Sequence, residues 1–240
     1  MTPREPDGDL RLPLLRQAWR TVTFVHWRYE KSLLQPLLPP GLTVDEHDGS
    51  AWVTLTPLEM RDVRLRGTPA VPRLSTFLET NLRTYVRDPD GRPGIWFFSL
   101  DAASTWITVG ARLLLGAPYF RARLRLDRGD GIRYGGARAG RRRPAYHLQV
   151  RPGQDLQPGA LDLWLTSRWR AYTRHAGYLL EIPVRHEAWR LRTASIARLD
   201  ESLTASAGLP APPRSALAHY SEGVADVEFG IARAVTRRRR

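Results

Sequence analysis

The stretch from residue 77 to residue 87, FLETNLRTYVR, constrains the fold more than any other part of the chain. Its side chains alternate in polarity with a period of two, which predicts a β-strand. One face is mostly polar and the other mostly apolar: the first carries Phe77, Glu79, Asn81, Arg83 and Tyr85, the second Leu78, Thr80, Leu82, Thr84 and Val86. Two arrangements fit this pattern. Either the polar face meets water on a half-buried strand, or it lines an enclosed cavity that holds a ligand.

Strand patterns recur along the chain, and helical patterns are few. Runs rich in β-branched and aromatic residues, or alternating in polarity, predict further strands at 19–29, 50–60, 95–101, 177–189 and from residue 119 onward. Helices are predicted after residue 30, at 103–116 with Asp101 as N-cap, at 161–175 and near 199–207. The turn sequence DPDG joins residues 77–87 to 95–101 as a hairpin. The pattern predicts an α+β fold, an antiparallel-rich β-barrel with a few flanking helices.

The chain of 240 residues shows no internal repeat and no linker, which favours one domain. We expect a flexible lead-in at 1–12, a single domain at 13–235 and an Arg tail at 236–240. No run approaches the roughly 20 apolar residues that span a bilayer, and the polar start is unlike a signal peptide. A cytoplasmic protein without membrane contact is therefore expected.

The net charge of +13 raises the question of nucleic acid as a partner. Almost all of this charge is arginine, since Lys31 is the single lysine, and such usage is typical of a GC-rich genome, so we do not favour nucleic acid. Cysteine is absent, the six histidines have no metal-ligand spacing, and no phosphate-binding loop or nucleophile elbow occurs. We expect no metal and no cofactor.

A succession of segments resembles the YqjF-like family of uncharacterised bacterial proteins from about residue 19 to residue 231. These segments are FVHWRY, LLPPGLTVDEHDGSAWVTLTPLEM, FLETNLRTYVRDPDGRPGIWFFSLDA, GAPYFRAR, LTSRWRAYT, HEAWRL and HYSEGV. That family is similar to acetoacetate decarboxylase, so the resemblance implies an acetoacetate decarboxylase-like β-barrel with an active site facing its lumen.

The resemblance implies roles for single residues. Glu79 falls where acetoacetate decarboxylases keep a lumen glutamate, and Tyr119, or Phe120 if the alignment slips by one, falls where they carry the Schiff-base lysine. Lys31 lies in a short predicted helix, where we expect it to be solvated. Schiff-base chemistry needs an amine whose pKa is lowered by its surroundings. Acetoacetate decarboxylase activity is therefore predicted to be absent.

A polar lumen suits a small organic acid or carbonyl ligand. Arg83 would hold a carboxylate, Glu79 would act as general acid or base, and Tyr119 would donate to an oxyanion. We take Glu79 and Tyr119 as candidate catalytic residues, and as candidate substrate-binding residues Arg83, Asn81, Tyr85, Trp96 and His26. The aromatic residues expected to form pocket walls are Trp27, Trp52, Trp96 and Phe98.

Alternatives stay open at each of these positions. Glu79 and Arg83 would also fit a buried ion pair without a ligand, and His26 and His186 would fit as core histidines as well as proton carriers. Catalysis stays open too, as a lyase, isomerase or hydrolase reaction without a Schiff base. The alternative function is an Arg-rich nucleic-acid-binding or scaffold protein, and a homo-oligomer is possible in either case.

Overall fold

The computed structural model describes residue 10 and residues 13–72, 74–140 and 143–235. The strands are β1 (Leu15–Tyr29), β2 (Thr43–Val44), β3 (Ala51–Leu65), β4 (Phe77–Arg87), β5 (Pro93–Ala102), β6 (Tyr119–Gly129), β7 (Gly131–Arg138), β8 (Ala145–Asp155), β9 (Arg170–His175), β10 (Tyr178–Arg185), β11 (Arg192–Glu201), β12 (Leu217–Phe229) and β13 (Arg233–Ala234). The helices are α1 (Lys31–Leu34), α2 (Thr105–Leu115), α3 (Ala160–Thr166) and α4 (Leu203–Ser206), with a 3-10 helix at Gln35–Leu37.

The strands form one 13-stranded sheet that forks at two strands and closes on itself twice. At β5, the residues near 95 pair with β9 and those near 101 pair with β6. At β12, the residues near 220 pair with β11 and those near 229 pair with β10. The larger ring therefore runs through β5, β6, β7, β8, β11, β12, β1, β3 and β4, and the smaller ring through β5, β9, β10, β12, β1, β3 and β4.

The α+β, antiparallel-rich class predicted from the sequence is confirmed. The two pairings of β5 with β6 and with β9 are parallel, and the other pairings between named strands are antiparallel. The predicted hairpin is present, because β4 pairs antiparallel with β5 from Glu79 to Arg87. None of the described helices has the length and apolar character that crossing a bilayer requires.

Two predicted helices are wrong in part. Residues 161–175 are helical in α3 only as far as Thr166, and residues 170–175 form β9, which lies between β5 and β10. Residues 199–201 are the end of β11, so that only α4 is helical there. In both cases, neighbouring strands supply backbone hydrogen-bond partners that outweigh a local helical pattern.

The predicted lead-in at 1–12, apart from Leu10, and the predicted Arg tail at 236–240 lie outside the described residues.

Strand β4 is buried on both faces. Its even positions belong to the filled interior of the larger ring, where Leu82 joins the main apolar cluster and Thr80 lies 2.6 Å from the Tyr146 hydroxyl. Its odd positions Glu79, Asn81 and Arg83 are buried as well and line a cavity. The polar face of FLETNLRTYVR therefore does not meet bulk water, and of the two arrangements that the pattern permits, the enclosed one is present.

Candidate functional site

The cavity has a volume of about 580 Å³ and is lined by residues from all seven strands of the smaller ring. Helix α2, the first residue of β6 and residues outside these elements also contribute to its wall. Most lining side chains are apolar, and the polar or charged ones other than tryptophan are Gln17, Thr56, Glu79, Asn81, Arg83, Tyr119, Thr166, Arg168, Tyr172, Thr173 and His186. A cavity of this size with a few polar groups on an apolar wall is typical of a ligand site.

A β-bulge in β5 brings additional side chains to the cavity. Leu82 pairs with Ser99 and Arg83 with Phe97, so that Phe98 is the extra residue in β5. Phe97 and Leu100 therefore both line the cavity although they are three residues apart. In a regular strand these two side chains would lie on opposite faces, and the bulge reverses the alternation.

Helix α2 forms the cover of the cavity and is capped at both ends. The Ser104 hydroxyl accepts a hydrogen bond from the backbone N–H of Ile107 at 3.4 Å, and Gly116 takes the left-handed conformation that ends many helices. Asp101, expected as the N-cap, lies instead in β5, which continues to Ala102. That expectation is wrong because the strand extends closer to the helix than the sequence pattern indicates.

Glu79, which is buried, forms a hydrogen-bonded pair with Tyr119, which is partly buried. The Tyr119 hydroxyl donates to Glu79 Oε2 at 2.9 Å, and Tyr119 reaches this place because Leu100 of β5 pairs with it in parallel register. Burial raises the pKa of Glu79 to about 7, against the lowering effect of the Tyr119 hydrogen bond and with a further rise from Asp101. Burial and the Glu79 charge raise the pKa of Tyr119 well above its usual value. The pair thus combines a carboxyl that exchanges its proton near neutrality with a phenol that keeps its own.

A second buried acid lies next to this pair. Asp101 accepts a hydrogen bond from Arg138 Nε at 2.9 Å. Burial raises the pKa of Asp101 to about 6, although the charge of Arg138 and its hydrogen bond act in the opposite direction. Asp101 is not among the residues that line the cavity. Its contribution to the site is electrostatic, through the pKa of Glu79.

Arg83 is 8% exposed, and no described carboxylate lies within ion-pair distance of it. Its guanidinium carbon lies 5.4 Å from the ring centre of Phe24, and its Nε has no hydrogen-bond partner among the described atoms. The Glu79–Arg83 ion pair that the sequence left open is therefore not formed. A buried cation without a counter-ion is costly, and an anion inside the cavity would remove that cost.

Other polar atoms around the cavity lack partners too. Among the residues that line it, buried nitrogen or oxygen atoms without a described hydrogen-bond partner occur in Gln17, Trp19, Thr56, Asn81, Arg83 and Arg168. Buried polar groups are nearly always hydrogen-bonded in native proteins. Their concentration around one cavity indicates that ligand or water atoms complete these bonds.

His186 and Arg168 line the cavity but were not among the selected site residues. His186 Nδ1 lies 2.6 Å from the carbonyl of Glu187, and burial lowers the pKa of His186 to about 4. A neutral ring that donates from Nδ1 leaves Nε2 as an acceptor. Arg168 donates to Asp45 at 2.7 Å and to the carbonyl of Trp164. The sequence signals for these two residues are the segments that carry the family resemblance, HEAWRL for His186 and LTSRWRAYT for Arg168.

Three of the selected residues lie outside the cavity lining. The Tyr85 hydroxyl donates to the carbonyl of Leu165 at 2.8 Å, and Trp96 packs against the cluster that contains Val86 and Tyr172. His26 lies next to Thr54 at 2.8 Å and belongs to a buried chain that continues through His219 to Asp162. Burial is the main cause that lowers the pKa of both histidines in this chain.

The aromatic walls differ from the expected set. Trp27, Trp52, Trp96 and Phe98 do not line the cavity and pack in or against separate apolar clusters. The aromatic side chains that do line it include Trp19, Phe24, Phe77, Phe97, Trp106, Trp189 and Phe229.

Lys31 lies in α1, where its amine donates to Glu46 at 2.8 Å and its side chain is about half exposed. It is not part of the cavity wall. Within the described part of the chain, no three histidine, aspartate or glutamate side chains cluster in the way that a metal site requires.

Comparison with known proteins gives matches over most of the chain. The model of the DUF2071 family, described as an uncharacterized conserved protein, matches residues 16–225. The uncharacterized protein YqjF of Bacillus subtilis (strain 168) is 34% identical over 230 residues, which cover 92% of this chain and 95% of that protein.

Solved structures share the fold at low identity. An acetoacetate decarboxylase from Legionella pneumophila superposes with a TM-score of 0.64 at 15% identity, over 98% of this chain and 90% of the other. An acetoacetate decarboxylase-like enzyme from Sphingomonas wittichii RW1 gives 0.61 at 21% identity, over 95% of both chains. The enduracididine biosynthesis enzyme MppR complexed with pyruvate gives 0.61 at 14% identity, over 96% and 94%. These likenesses confirm the acetoacetate decarboxylase-like fold.

Proposed function

Because the chain belongs to the DUF2071 family of uncharacterized conserved proteins and has an acetoacetate decarboxylase-like fold, we propose that it binds a small organic acid or carbonyl compound in the cavity. We further propose that residues 13–235 form a single domain, that this domain acts on the ligand without a Schiff base, and that the protein is cytoplasmic. The observation that carries it is Arg83, a buried cation on the cavity wall with no described counter-ion. A fold alone does not transfer function, so the site residues must supply the support.

Arg83 is the proposed carboxylate-binding residue. A guanidinium offers two parallel N–H donors that match the two oxygens of a carboxylate. Asn81 is two residues away on the same face of β4, and an amide group is suited to a neighbouring carbonyl or hydroxyl of the ligand. The enzyme MppR has a related fold and is complexed with pyruvate, which supports a keto acid as one ligand class.

Glu79 and Tyr119 are the proposed catalytic residues. In an enolisation, Glu79 takes a proton from the carbon next to the ligand carbonyl, and the electron pair of the broken C–H bond forms a C=C bond to the carbonyl carbon. The π pair of the C=O bond moves to the oxygen, and the Tyr119 hydroxyl donates to the resulting oxyanion. A carboxyl with a pKa of about 7 suits both proton uptake and proton return. This step is common to lyase and isomerase chemistry and needs no amine.

We propose that no Schiff base forms in the cavity. Tyr119 stands where the family resemblance expects the reactive lysine, and Lys31 lies on the surface. Borohydride treatment with acetoacetate is therefore expected to leave Lys31, the one lysine of the chain, unmodified. Peptide mass mapping that finds reduced substrate on Lys31 would overturn this part of the proposal.

The direct test is ligand-induced stabilisation in wild type and Arg83→Gln, with pyruvate, 2-oxobutyrate, acetoacetate and acetate as probes. A ligand at about a hundred times its dissociation constant adds roughly 2.7 kcal/mol to the free energy of unfolding. We expect this gain in wild type and its loss in Arg83→Gln. The matched control is Arg123→Gln, which removes the same charge from the exposed face of β6 and should keep the gain. Equal stabilisation of Arg83→Gln would contradict the proposal.

A further inference from the structure

The wall of the cavity changes character along β3 and β4. Arg83 stands at one end, and proceeding along β4 the cavity meets Asn81, then Glu79, then Phe77. On β3, Thr56 is paired with Asn81, Leu58 with Glu79 and Met60 with Phe77. At about 3.3 Å per strand residue, Arg83 and Phe77 are separated by roughly 20 Å of strand. The lining therefore passes from a cation through polar groups to purely apolar side chains.

The cationic end is closed by the end of α3 and the residues that follow it. The Tyr85 hydroxyl donates a hydrogen bond to the carbonyl of Leu165, and Arg168 pairs with Asp45. Thr166, Arg168 and Arg83, which line this end, are all buried.

The apolar end reaches the surface. Four residues that line the cavity are more than half exposed, namely Leu14 at 51%, Leu65 at 54%, Leu114 at 75% and Trp106 at 77%. Leu14 and Leu65 flank the pairing of β1 with β3, and the other two belong to α2. A ligand that entered here would meet apolar side chains first and Arg83 last.

Helix α2 lines this passage with almost entirely apolar side chains. The residues of α2 that line the cavity are Trp106, Ile107, Gly110, Ala111, Leu114 and Leu115. The one hydrogen-bond donor in these side chains is the indole N–H of Trp106. The inner face of the cover is therefore suited to a hydrocarbon or aryl group.

We propose that the ligand of the cavity is an amphipathic carboxylate, with its carboxylate at Arg83 and an apolar tail that extends along Leu58, Met60 and Phe77 towards α2. This rests on the proposed function and names its substrate class. An acid as short as pyruvate would leave most of the 580 Å³ cavity and nearly all of its apolar wall uncovered. A tail covers that wall, and each methylene that it buries tightens binding by about fourfold.

The test is calorimetric titration with butyrate, hexanoate, octanoate and decanoate, and with octanol as the uncharged probe. From butyrate to octanoate we expect affinity to rise about two hundredfold, because four more methylenes are buried. Octanol should bind more weakly than octanoate in wild type and about as well as octanoate in Arg83→Gln.

A pair of neighbouring positions on α2 supplies matched variants. Gly110 lines the cavity and a side-chain carbon there would meet no atom within 4 Å, so Gly110→Phe is the variant chosen to fill the apolar end of the cavity. Val109 is exposed on the outer face of the same helix, and Val109→Phe is the control. Gly110→Phe is expected to weaken octanoate binding at least tenfold and to leave butyrate unchanged, whereas Val109→Phe should change neither.

The possible failures are distinguishable. If short acids bind in an Arg83-dependent way and affinity does not rise with chain length, the amphipathic ligand is ruled out and the proposed function stands. If no acid of any length binds, both are overturned. If octanol binds wild type as tightly as octanoate does, the affinity depends on the apolar tail and not on the carboxylate. That result would overturn the role of Arg83.

Discussion

At the scale of single residues, Arg83 is expected both to favour ligand binding and to lower the stability of the folded protein. Its buried charge has no described counter-ion in the ligand-free protein. We expect Arg83→Met to raise the free energy of unfolding by about 1–3 kcal/mol in the absence of ligand, because an uncompensated buried polar group is replaced by an apolar one. Chemical denaturation measures this difference. Arg83→Lys keeps the charge and should show no gain; a loss of stability in Arg83→Met would mean that the cation is compensated inside the folded protein.

Glu79 predicts a dependence of stability on pH. Burial raises its pKa in the folded protein to about 7 from the ordinary value of 4.5, so the folded state holds the proton more tightly than the unfolded state. This contribution to stability is complete below about pH 4.5 and is lost as the pH rises through about 7. The unfolding free energy of wild type minus that of Glu79→Gln should therefore fall by about 3 kcal/mol as the pH rises across this range.

The measurement is a set of denaturation curves between pH 4 and pH 8, with exposed Glu30→Gln as the control. A difference between wild type and Glu79→Gln that stays constant, or that grows with pH, would show that the Glu79 carboxyl is not shifted upward.

Sequence reasoning reached some site residues and not others for a local reason. Glu79, Asn81 and Arg83 follow from the period of a single strand, which needs no knowledge of the rest of the chain. The same period places Tyr85 on their face, yet the cavity ends at Arg83 because the segment near Leu165 occupies the space beyond. His186 and Arg168 reach the cavity through pairings of distant segments, which one strand pattern does not contain.

At the scale of elements, the parallel approach of β9 to β5 closes the smaller ring and depends on Gly94. A side-chain carbon at Gly94 would lie 2.5 Å from Tyr172 Cε2 and 2.9 Å from the carbonyl oxygen of Arg170. We expect Gly94→Ala to lower the free energy of unfolding by about 1–3 kcal/mol, since β9 must move away.

Gly110→Ala is the matched control for Gly94→Ala. Its added carbon meets open space within a helix, and alanine should stabilise α2 by about 0.5–1 kcal/mol. If both variants have the same stability as wild type, the contact between β5 and β9 is looser than described.

The elements predicted from the sequence are those with local signals. Strand β4 alternates cleanly, and DPDG marks the turn before β5. The sequence of β9, RAYTRH, is short and has no such alternation, so the local pattern predicts a helix there. Its conformation is decided by the free edges of β5 and β10, which lie on either side of it. The bulge at Phe98 is also a property of a strand pair and leaves no mark on one strand alone.

At the scale of the whole molecule, the net charge of +13 includes an exposed row of arginines on β6. Arg121, Arg123 and Arg125 lie on its outer face, and none forms a described ion pair. If these three contact phosphates, binding to duplex DNA should weaken about 40-fold between 50 and 200 mM salt, because each contact releases counter-ions. Fluorescence anisotropy with the triple Arg→Gln variant checks this.

The triple variant is expected to bind carboxylates like wild type. DNA binding that is tight at 200 mM salt and lost in the triple variant would favour the nucleic-acid function over the proposed one.

The class of fold was predictable from the frequency of strands, but the forks at β5 and β12 were not, because they join residues that are far apart in the chain.

The sharing of β4 and its neighbours by two rings has a consequence for the order in which the molecule opens. Strand β4 keeps its hydrogen bonds to β3 and β5 when the pairing of β9 with β5 breaks, because those bonds belong to the larger ring as well. The smaller ring can therefore open between β5 and β9 while Glu79, Asn81 and Arg83 keep their positions. In amide hydrogen exchange, the protons of β4 should be released only with global unfolding and those of β9 through cheaper local openings. The side of the cavity that carries the proposed site residues is therefore the last part of the molecule to come apart.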